Sequence, residues 1–540
     1  MKTLPALVFV FLGLAASLSA KPPADAQARL DGFIKGKPGG ISVVWVDADG
    51  AAFLSAGKYS ATDERAITPD TQFEIGSITK VFTALLLAES ERAGKVSRND
   101  PAAKYLLPPD DPAQGSLAPI TLLALSTHRA GLGTWPIGFQ IPTQPNPFAD
   151  ITTADLVAAL RHDGPKATVG RSYSYSNFGV ALLGQALAAA WGQPYPDVLR
   201  ARVLTPLGLD HTLVAVPGTK PPPELAPGHA SGQPAANWDL DGYAPAGAIR
   251  SSARDFAKFL QAALGDDRAP LAAAFRETIK PLATTDFAGC RIGLNWLLLD
   301  DPSRPVAWHN GGTGGYRSMV GFSRAAGIGV AVFFNGSASP DGLGFSLLGV
   351  KPPALAPVKV DNAADYSGRY PLTPAFAITI TARDGALFAQ ATGQPEFALR
   401  PVESDRFTVM GVPAEISFER DAEKKVIALV LHQNGAEKRG PRGELLPPPK
   451  EVALPAETLR EYVGSFPLAP TFVLSITEDN GALFAQATGQ PKLPVFAKAK
   501  DEFFYKVVDA RLSFERDADG KVTGVVLHQG GRDLPAKKAN

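Results

Sequence analysis

The chain has 540 residues, and its 53 basic side chains balance its 53 acidic ones, so nothing in the net charge draws it towards nucleic acid or an anionic membrane. The length allows two to four domains. A single cysteine, Cys290, excludes an internal disulfide and a thiolate zinc site, and the seven histidines are scattered without a His-Glu-x-x-His run, so no metal or other cofactor is implied.

In chain order, Met1-Lys2-Thr3 leads into an apolar run from Leu4 to Leu18, followed by Ser19, Ala20 and Lys21-Pro22-Pro23. A basic start, an apolar run and a small-residue end predict a secretory signal peptide over residues 1–20. The run is too short for a comfortable membrane span, and no later stretch approaches one. The expected product is therefore exported, periplasmic or secreted, with no transmembrane span once the signal is removed.

Ala24 to Ile34 has weak helical character. Ile41 to Val46 reads as a strand, and Asp49-Gly50 turns it into a second one over Ala51 to Ala56. Val81 to Ala88 is apolar except for Thr83 and ends at Gly94-Lys95, predicting a buried helix that opens near Ser77. A short helix is expected over Thr121 to His128, and a Pro-rich loop from Trp135 to Phe148. Further helices are expected over Thr153 to His162, Phe178 to Trp191, and Tyr195 to Leu204. Ser252 with Asp255 reads as a capping box before a helix from Phe256 to Leu264. Strands are expected at Ile292 to Leu299, Pro305 to His309, Tyr316 to Phe322 and Ile328 to Phe334, and Cys290 as a small core residue. The ends of this region are strand-rich and its middle helical, which predicts an α/β domain over residues 21–350: one antiparallel sheet flanked by helices, with a helical subdomain inserted.

Residues 351–360 form a Pro-rich linker, and an internal repeat follows. Gly385 to Pro395 recurs at Gly481 to Pro491, an offset of 481 minus 385, or 96. The same offset relates Ser417 to Ala422 with Ser513 to Ala518, and Leu431-His432-Gln433 with Leu527-His528-Gln529. A constant offset means one supersecondary unit carried twice. The copies, residues 361–445 and 457–540 around a second Pro-rich linker at 446–456, are predicted to be small all-β barrels whose turns use Asp384-Gly385 and Asn480-Gly481. His432 and His528 occupy equivalent strand positions, which suits packing or a strand edge more than catalysis. The modules are expected to support or cover the active site.

The chemistry centres on Ser77 and Lys80. Positions three apart share a helix face, so the amine would lie one turn from the hydroxyl, at a helix start whose free N–H groups favour developing negative charge. Burial would lower the lysine pKa and let the pair pass a proton. Spacing alone is equally compatible with a helix cap and a solvated lysine. Two further motifs narrow the choice: Tyr175-Ser176-Asn177, and His309-Asn310-Gly311-Gly312-Thr313-Gly314-Gly315-Tyr316.

In this order the three motifs resemble the active-site serine family that holds class C β-lactamases, D-alanyl-D-alanine carboxypeptidases, D-aminopeptidases and related esterases. Leu125 to Leu132, Pro206 to Leu209 and Ala246 to Asp255 also resemble that family, over roughly residues 25 to 350. The resemblance implies a serine β-lactamase-like fold and an acyl-enzyme on Ser77, with Lys80 and Tyr175 sharing the general-base work. A phenol near cations is expected to lose its proton readily. Asn177 would hold Lys80 and a substrate amide, and the N–H groups of Ser77 and Gly312 would form an oxyanion hole beside Gly311. The family's lysine is replaced here by His309, which carries no fixed charge, so recognition of a substrate carboxylate weakens unless Arg317 supplies it. The expected partner is a small-molecule or peptide substrate, peptidoglycan-derived in the carboxypeptidase reading. The alternatives are an esterase on small esters and a non-catalytic wall-binding or scaffold protein.

Overall fold

The computed structural model describes residues 20–60, 62–136, 145–165, 168–230, 232–354, 358–373, 376–394, 396–410, 414–433, 436–443, 450–469, 472–488, 490, 492–506, 510–529 and 532–539. The expected signal peptide, except Ala20, and parts of the expected Pro-rich loop and linkers lie outside these residues. The chain divides into two compact units after Ala354.

In the first unit an eight-stranded antiparallel sheet is assembled from both ends of the region. Its order is Gly50–Gly57, Gly40–Asp47, Ile328–Phe334, Arg317–Ser323, Val306–Gly312, Leu297–Leu299, Cys290–Ile292, Ala283–Thr284. Val43 and Val44 meet Val332 and Ala331 in the central ladder, so the N-terminal hairpin is closed onto the last strand of the unit. Both faces are covered. Ala26–Ile34 and Asp341–Leu348 lie over one side, where Leu30, Val332 and Leu348 share a core. Thr79–Arg92, Asn177–Trp191 and Ala253–Leu264 form the larger core on the other.

Thr79–Arg92 is buried almost all round, from Thr79 through Ala88. Such a helix can carry polar residues only where each finds a partner. The Thr79 hydroxyl accepts from Ile249 N–H at 3.1 Å, and that of Thr83 donates to the Pro245 carbonyl at 2.7 Å. Asn177–Trp191 opens on Ser176, whose hydroxyl accepts from Gly179 N–H at 2.8 Å, and closes on left-handed Gly192.

Two local expectations are corrected. Ile292 to Leu299 is not one strand, because Gly293 to Trp296 turns between Cys290–Ile292 and Leu297–Leu299, with Asn295 at φ 55°. Ser252 does cap its helix, but the Asp255 carboxylate accepts instead from His211 N–H and the Thr212 hydroxyl, so the box is half made. The complete capping box is Thr152 with Asp155.

Each repeat of the second unit is an eight-stranded antiparallel meander that curls into a nearly closed barrel. One runs from Gly368–Thr373 to Ala436–Pro441, the other from Gly464–Ala469 to Arg532–Lys537. Closure is backbone to backbone and repeats at the same offset: Gly443 N–H donates to Arg369 O at 2.9 Å, and Ala539 N–H to Ser465 O at 2.8 Å. Tyr370, Leu387 and Leu429 fill one barrel, and Phe466, Leu483 and Val525 the other. The expected hairpin turns form with both central residues at positive φ, Asp384-Gly385 at 51° and 79° and Asn480-Gly481 at 51° and 78°.

The main sheet reaches the Ser77 segment through a glycine contact. A Cβ on Gly311 would lie 2.0 Å from the Ile75 carbonyl oxygen, a backbone atom that cannot swing away. Gly311→Ala is therefore expected to cost about 2 kcal/mol of stability, measured as a lower midpoint in chemical unfolding.

Candidate active site

Ser77 lies in the 3-10 turn Gly76–Ile78 that runs into Thr79–Arg92, and it is half-buried among fully buried neighbours. The turn needs Gly76, at φ 51°, and a Cβ there would stand 2.5 Å from Gly312 N. Ile75 holds the turn from below: its N–H donates to Ile249 O at 3.0 Å, and its carbonyl accepts from the Ser318 hydroxyl at 2.8 Å. Two glycines from one motif and one from another thus let two backbones touch where the Ser77 hydroxyl is presented.

Lys80 is fully buried, with Nζ 2.8 Å from Ser77 Oγ and 2.8 Å from the Ala246 carbonyl oxygen. Burial holds its pKa well below the ordinary lysine value, and no carboxylate opposes that shift. Nζ donates to the Ala246 carbonyl and to the Ser77 hydroxyl, and burial favours the uncharged amine. The Tyr175 ring centroid is 5.0 Å from Nζ, and its hydroxyl faces that of Ser77. Desolvation outweighs the Ser77 contact and raises the phenol pKa, so the expected easy loss of the tyrosine proton does not hold in the resting site. Burial thus acts in opposite directions on the two groups, lowering the amine pKa and raising that of the phenol.

The Tyr175 loop is held by His128. Ser174 N–H donates to His128 O at 2.7 Å, and Ser176 N–H to His128 Nδ1 at 3.1 Å. The imidazole lies against the Tyr175 ring at 4.6 Å between centroids. His128 sits at φ 54°, and its buried Nε2, the protonated nitrogen by elimination, has no hydrogen-bond partner. Burial keeps it neutral, with the nearby Lys80 acting in the same direction. The sequence reading passed over this residue. A histidine closing the short Leu122–Ser126 helix just before Ala130-Gly131 was the available signal, but its left-handed backbone was not.

His309 lies on Val306–Gly312, its ring 6.2 Å from that of Tyr175, with Nδ1 2.6 Å from Asn310 O. Burial first, and Lys80 second, hold its pKa down to about 3, so it is neutral at any working pH. Asn310 donates to Asp341 Oδ2 at 2.7 Å. The Arg317 guanidinium donates to the Thr313 and Tyr316 carbonyls, both at 2.7 Å, and lies over Gly312. Asn177 is the first residue of its helix and half-buried; the hydrogen bonds of Lys80 go to Ser77 and Ala246 rather than to it. The structure therefore brings together Ser77, Lys80, Tyr175, His309, Gly311 and Gly312, while Asn177 is not bonded to Lys80. Among the described residues no group of three or more His, Cys, Asp or Glu side chains could hold a metal ion.

The Beta-lactamase family model matches residues 26–344, and a domain of unknown function, DUF3471, matches 353–440 and 448–538. A beta-lactamase of Pseudomonas fluorescens is 27% identical over 55% of this chain and 88% of its own length. Penicillin-binding protein 4* of Bacillus subtilis is 24% identical over 72% of this chain and 91% of its own. The D-alanyl-D-alanine-carboxypeptidase/endopeptidase AmpH of Escherichia coli is 31% identical over 32% of this chain and 44% of its own. Among solved structures, a class C beta lactamase from Rhodobacter sphaeroides superposes with a TM-score of 0.52 at 24% identity, covering 60% of this chain and 99% of that one.

A buried lysine with a lowered pKa has a definite linkage. Between its folded pKa and the unfolded value near 10.5, the unfolded chain binds the extra proton, so this site makes stability rise with pH. Lys80→Met should raise Tm at neutral pH, with the gain shrinking towards pH 10.5; a gain independent of pH contradicts the assignment. For the positioning residue His128, Leu removes both the acceptor for Ser176 N–H and the ring under Tyr175, and an orphaned buried N–H costs about 1–3 kcal/mol. His128→Leu is expected to lower kcat at least tenfold with a smaller change in KM, while His128→Asn, which keeps an acceptor and tolerates left-handed backbone, recovers most of the loss.

Proposed function

This chain belongs to the Beta-lactamase family and is a serine hydrolase, and from that premise we propose that it cleaves an amide, a β-lactam or a D-amino-acid peptide, through an acyl-enzyme on Ser77. The observation that carries the reading is the desolvated Lys80 amine 2.8 Å from the Ser77 hydroxyl. In the proposed cycle Ser77 Oγ attacks the carbonyl carbon as its proton passes to Lys80 Nζ. The N–H groups of Ser77 and Gly312 receive the oxyanion, an effect of about 3 kcal/mol for a single donor in comparable sites. Tyr175, holding its proton, hands it to the leaving nitrogen as the C–N bond breaks, and recovers one from the Lys80 ammonium, which returns to the amine. Water then attacks the acyl carbon with the same groups reversed, freeing Ser77. Asn177, half-buried at the start of its helix, would take a substrate amide through its side chain.

The printed names of the relatives, beta-lactamase, penicillin-binding protein and D-alanyl-D-alanine-carboxypeptidase/endopeptidase, are the reason for proposing these substrates, peptidoglycan-derived peptides among them. Export to the periplasm or medium belongs to the same proposal, supported by the apolar run of residues 4–18. Among the described residues no helix is long and apolar enough to cross a membrane. One observation favours a second reading, an esterase on small uncharged esters: His309 is neutral where the family's lysine would offer a substrate carboxylate a fixed charge.

The two readings separate in one experiment on the full chain. Penicillin acylation, turnover of a D-Ala-D-Ala peptide and turnover of a nitrophenyl ester are compared for the wild type and Ser77→Ala. All activity is expected to fall by roughly four orders of magnitude or more in Ser77→Ala, with penicillin adducts confined to Ser77. Ester turnover far above both amide reactions would replace the amide reading with the esterase one, and full turnover by Ser77→Ala would overturn both.

A further inference from the structure

The repeated histidines do not pack into the barrel cores. In the first barrel Ser417 Oγ is 2.7 Å from His432 Nε2, and His432 Nδ1 is 3.0 Å from Glu437 Oε1. In the second, Ser513 Oγ is 2.9 Å from His528 Nε2, and His528 Nδ1 is 2.6 Å from Asp533 Oδ1. The flanking residues Ile416 and Phe418, and Leu512 and Phe514, point into the cores, so both rows run across the outer face of three neighbouring strands. The register explains the contacts: His432 stands opposite Glu437, and Ser417, opposite Val430, is its diagonal neighbour.

The chemistry of each row is fixed by the carboxylate. Nδ1 donates to Glu437 or Asp533, which leaves the Nε2 lone pair for the serine proton. A hydroxyl bonded to a base that is oriented by a third group is the arrangement of an activated nucleophile. We propose that Ser417 and Ser513 are acyl-accepting serines, with His432 and His528 as their bases and Glu437 and Asp533 as orienting groups, and that they take acyl groups from small activated esters. The outer face restricts the class to such esters, because the ladder consumes strand N–H groups that would otherwise form an oxyanion hole.

The step balances without a co-reactant. A bond forms from Ser417 Oγ to the acyl carbon, the bond from that carbon to the alcohol or phenol oxygen breaks, and the serine proton travels through His432 Nε2 to the leaving oxygen. Arg406 stands directly opposite Ser417 in the ladder, whereas Glu502 stands opposite Ser513. Each of these charges is already paired, Arg406 with Glu415 at 2.7 Å and Glu502 with Lys498 at 3.5 Å, so neither serine faces a lone charge and the two copies should react at comparable rates.

The test uses the full-length Ser77→Ala chain, so that it stands independently of the proposed Ser77 chemistry. The protein is treated with p-nitrophenyl acetate at neutral pH, and acetylation of each serine peptide is followed by mass spectrometry, with exposed Ser172 as the ordinary-serine reference. Ser417 and Ser513 are each expected to acetylate about a hundredfold faster than Ser172, the low end of the range for general-base assistance. His432→Gln should bring Ser417 down to the reference rate while leaving Ser513 unchanged, which also reports that the chain is folded; Glu437→Gln gives a partial loss. Equal rates for Ser417, Ser513 and Ser172 in the folded chain, or a Ser417 rate indifferent to His432→Gln, overturn the proposal.

Discussion

The active-site unit depends on one stripped ion. A lysine amine in water stays protonated at neutral pH, whereas enclosing Nζ lowers the pKa of Lys80 and favours its uncharged form. The groups around it are chosen for polarity without charge: a backbone carbonyl from Ala246, the face of Tyr175, and His309 kept neutral by the same burial. A carboxylate in contact with Nζ would restore the ammonium and remove the base. The acidic residues nearby are engaged elsewhere, Glu74 on Arg250 and Asp341 on Asn310.

Holding a desolvated amine beside a hydroxyl demands a rigid mount, since burial gives the lysine every reason to move towards water. The mount has three parts. The main sheet presses Gly311 and Gly312 against Ile75 and Gly76, an approach that only residues lacking Cβ permit. The strand Gln72–Glu74 pairs with Ile249–Ser252, and buried Arg250 ties Glu74 at 3.3 Å to Asp239 at 2.7 Å. Breaking such a buried ion network on one side leaves an uncompensated charge, which makes it a firm anchor whatever its net contribution to stability. The third part is the Asn295 side chain, which donates to the Lys80 carbonyl at 3.2 Å from a turn the sequence reading had merged into a strand.

What was legible in the sequence follows from locality. The helix behind Ser77 and the Asp-Gly and Asn-Gly turns of the repeats are dictated by residues a few positions apart, and they form as expected; the first hairpin also forms, but its turn is Ala48-Asp49, with Gly50 already paired to Asp47. Assembly of one sheet from both ends of the unit was readable from where the strands fall. What was not legible depends on long-range partners. Asp255 looks like half a capping box until His211 and Thr212 arrive from another segment. The Tyr175 phenol looks easily ionised if neighbouring cations are counted and burial is not; in the folded site desolvation decides, and it acts in opposite directions on the amine and the phenol.

The repeats separate these two kinds of information within one chain. Their bolts recur at the 96-residue offset. Arg420 reaches Asp405 at 2.9 Å beside Tyr366, and Arg516 reaches Asp501 at 2.8 Å beside Tyr462. Surface charge has not been held in the same way, since Arg406 and Glu415 in one copy become Glu502 and Arg511 in the other. The serine, histidine and carboxylate rows nevertheless persist, with Glu437 exchanged for Asp533 and the histidine geometry retained on a shorter side chain. A row kept merely by its charged neighbourhood would have changed when those neighbours exchanged sign. Its persistence ties it to the strand register, which is the element both copies share, and to the acid function of its third member rather than to that member's size.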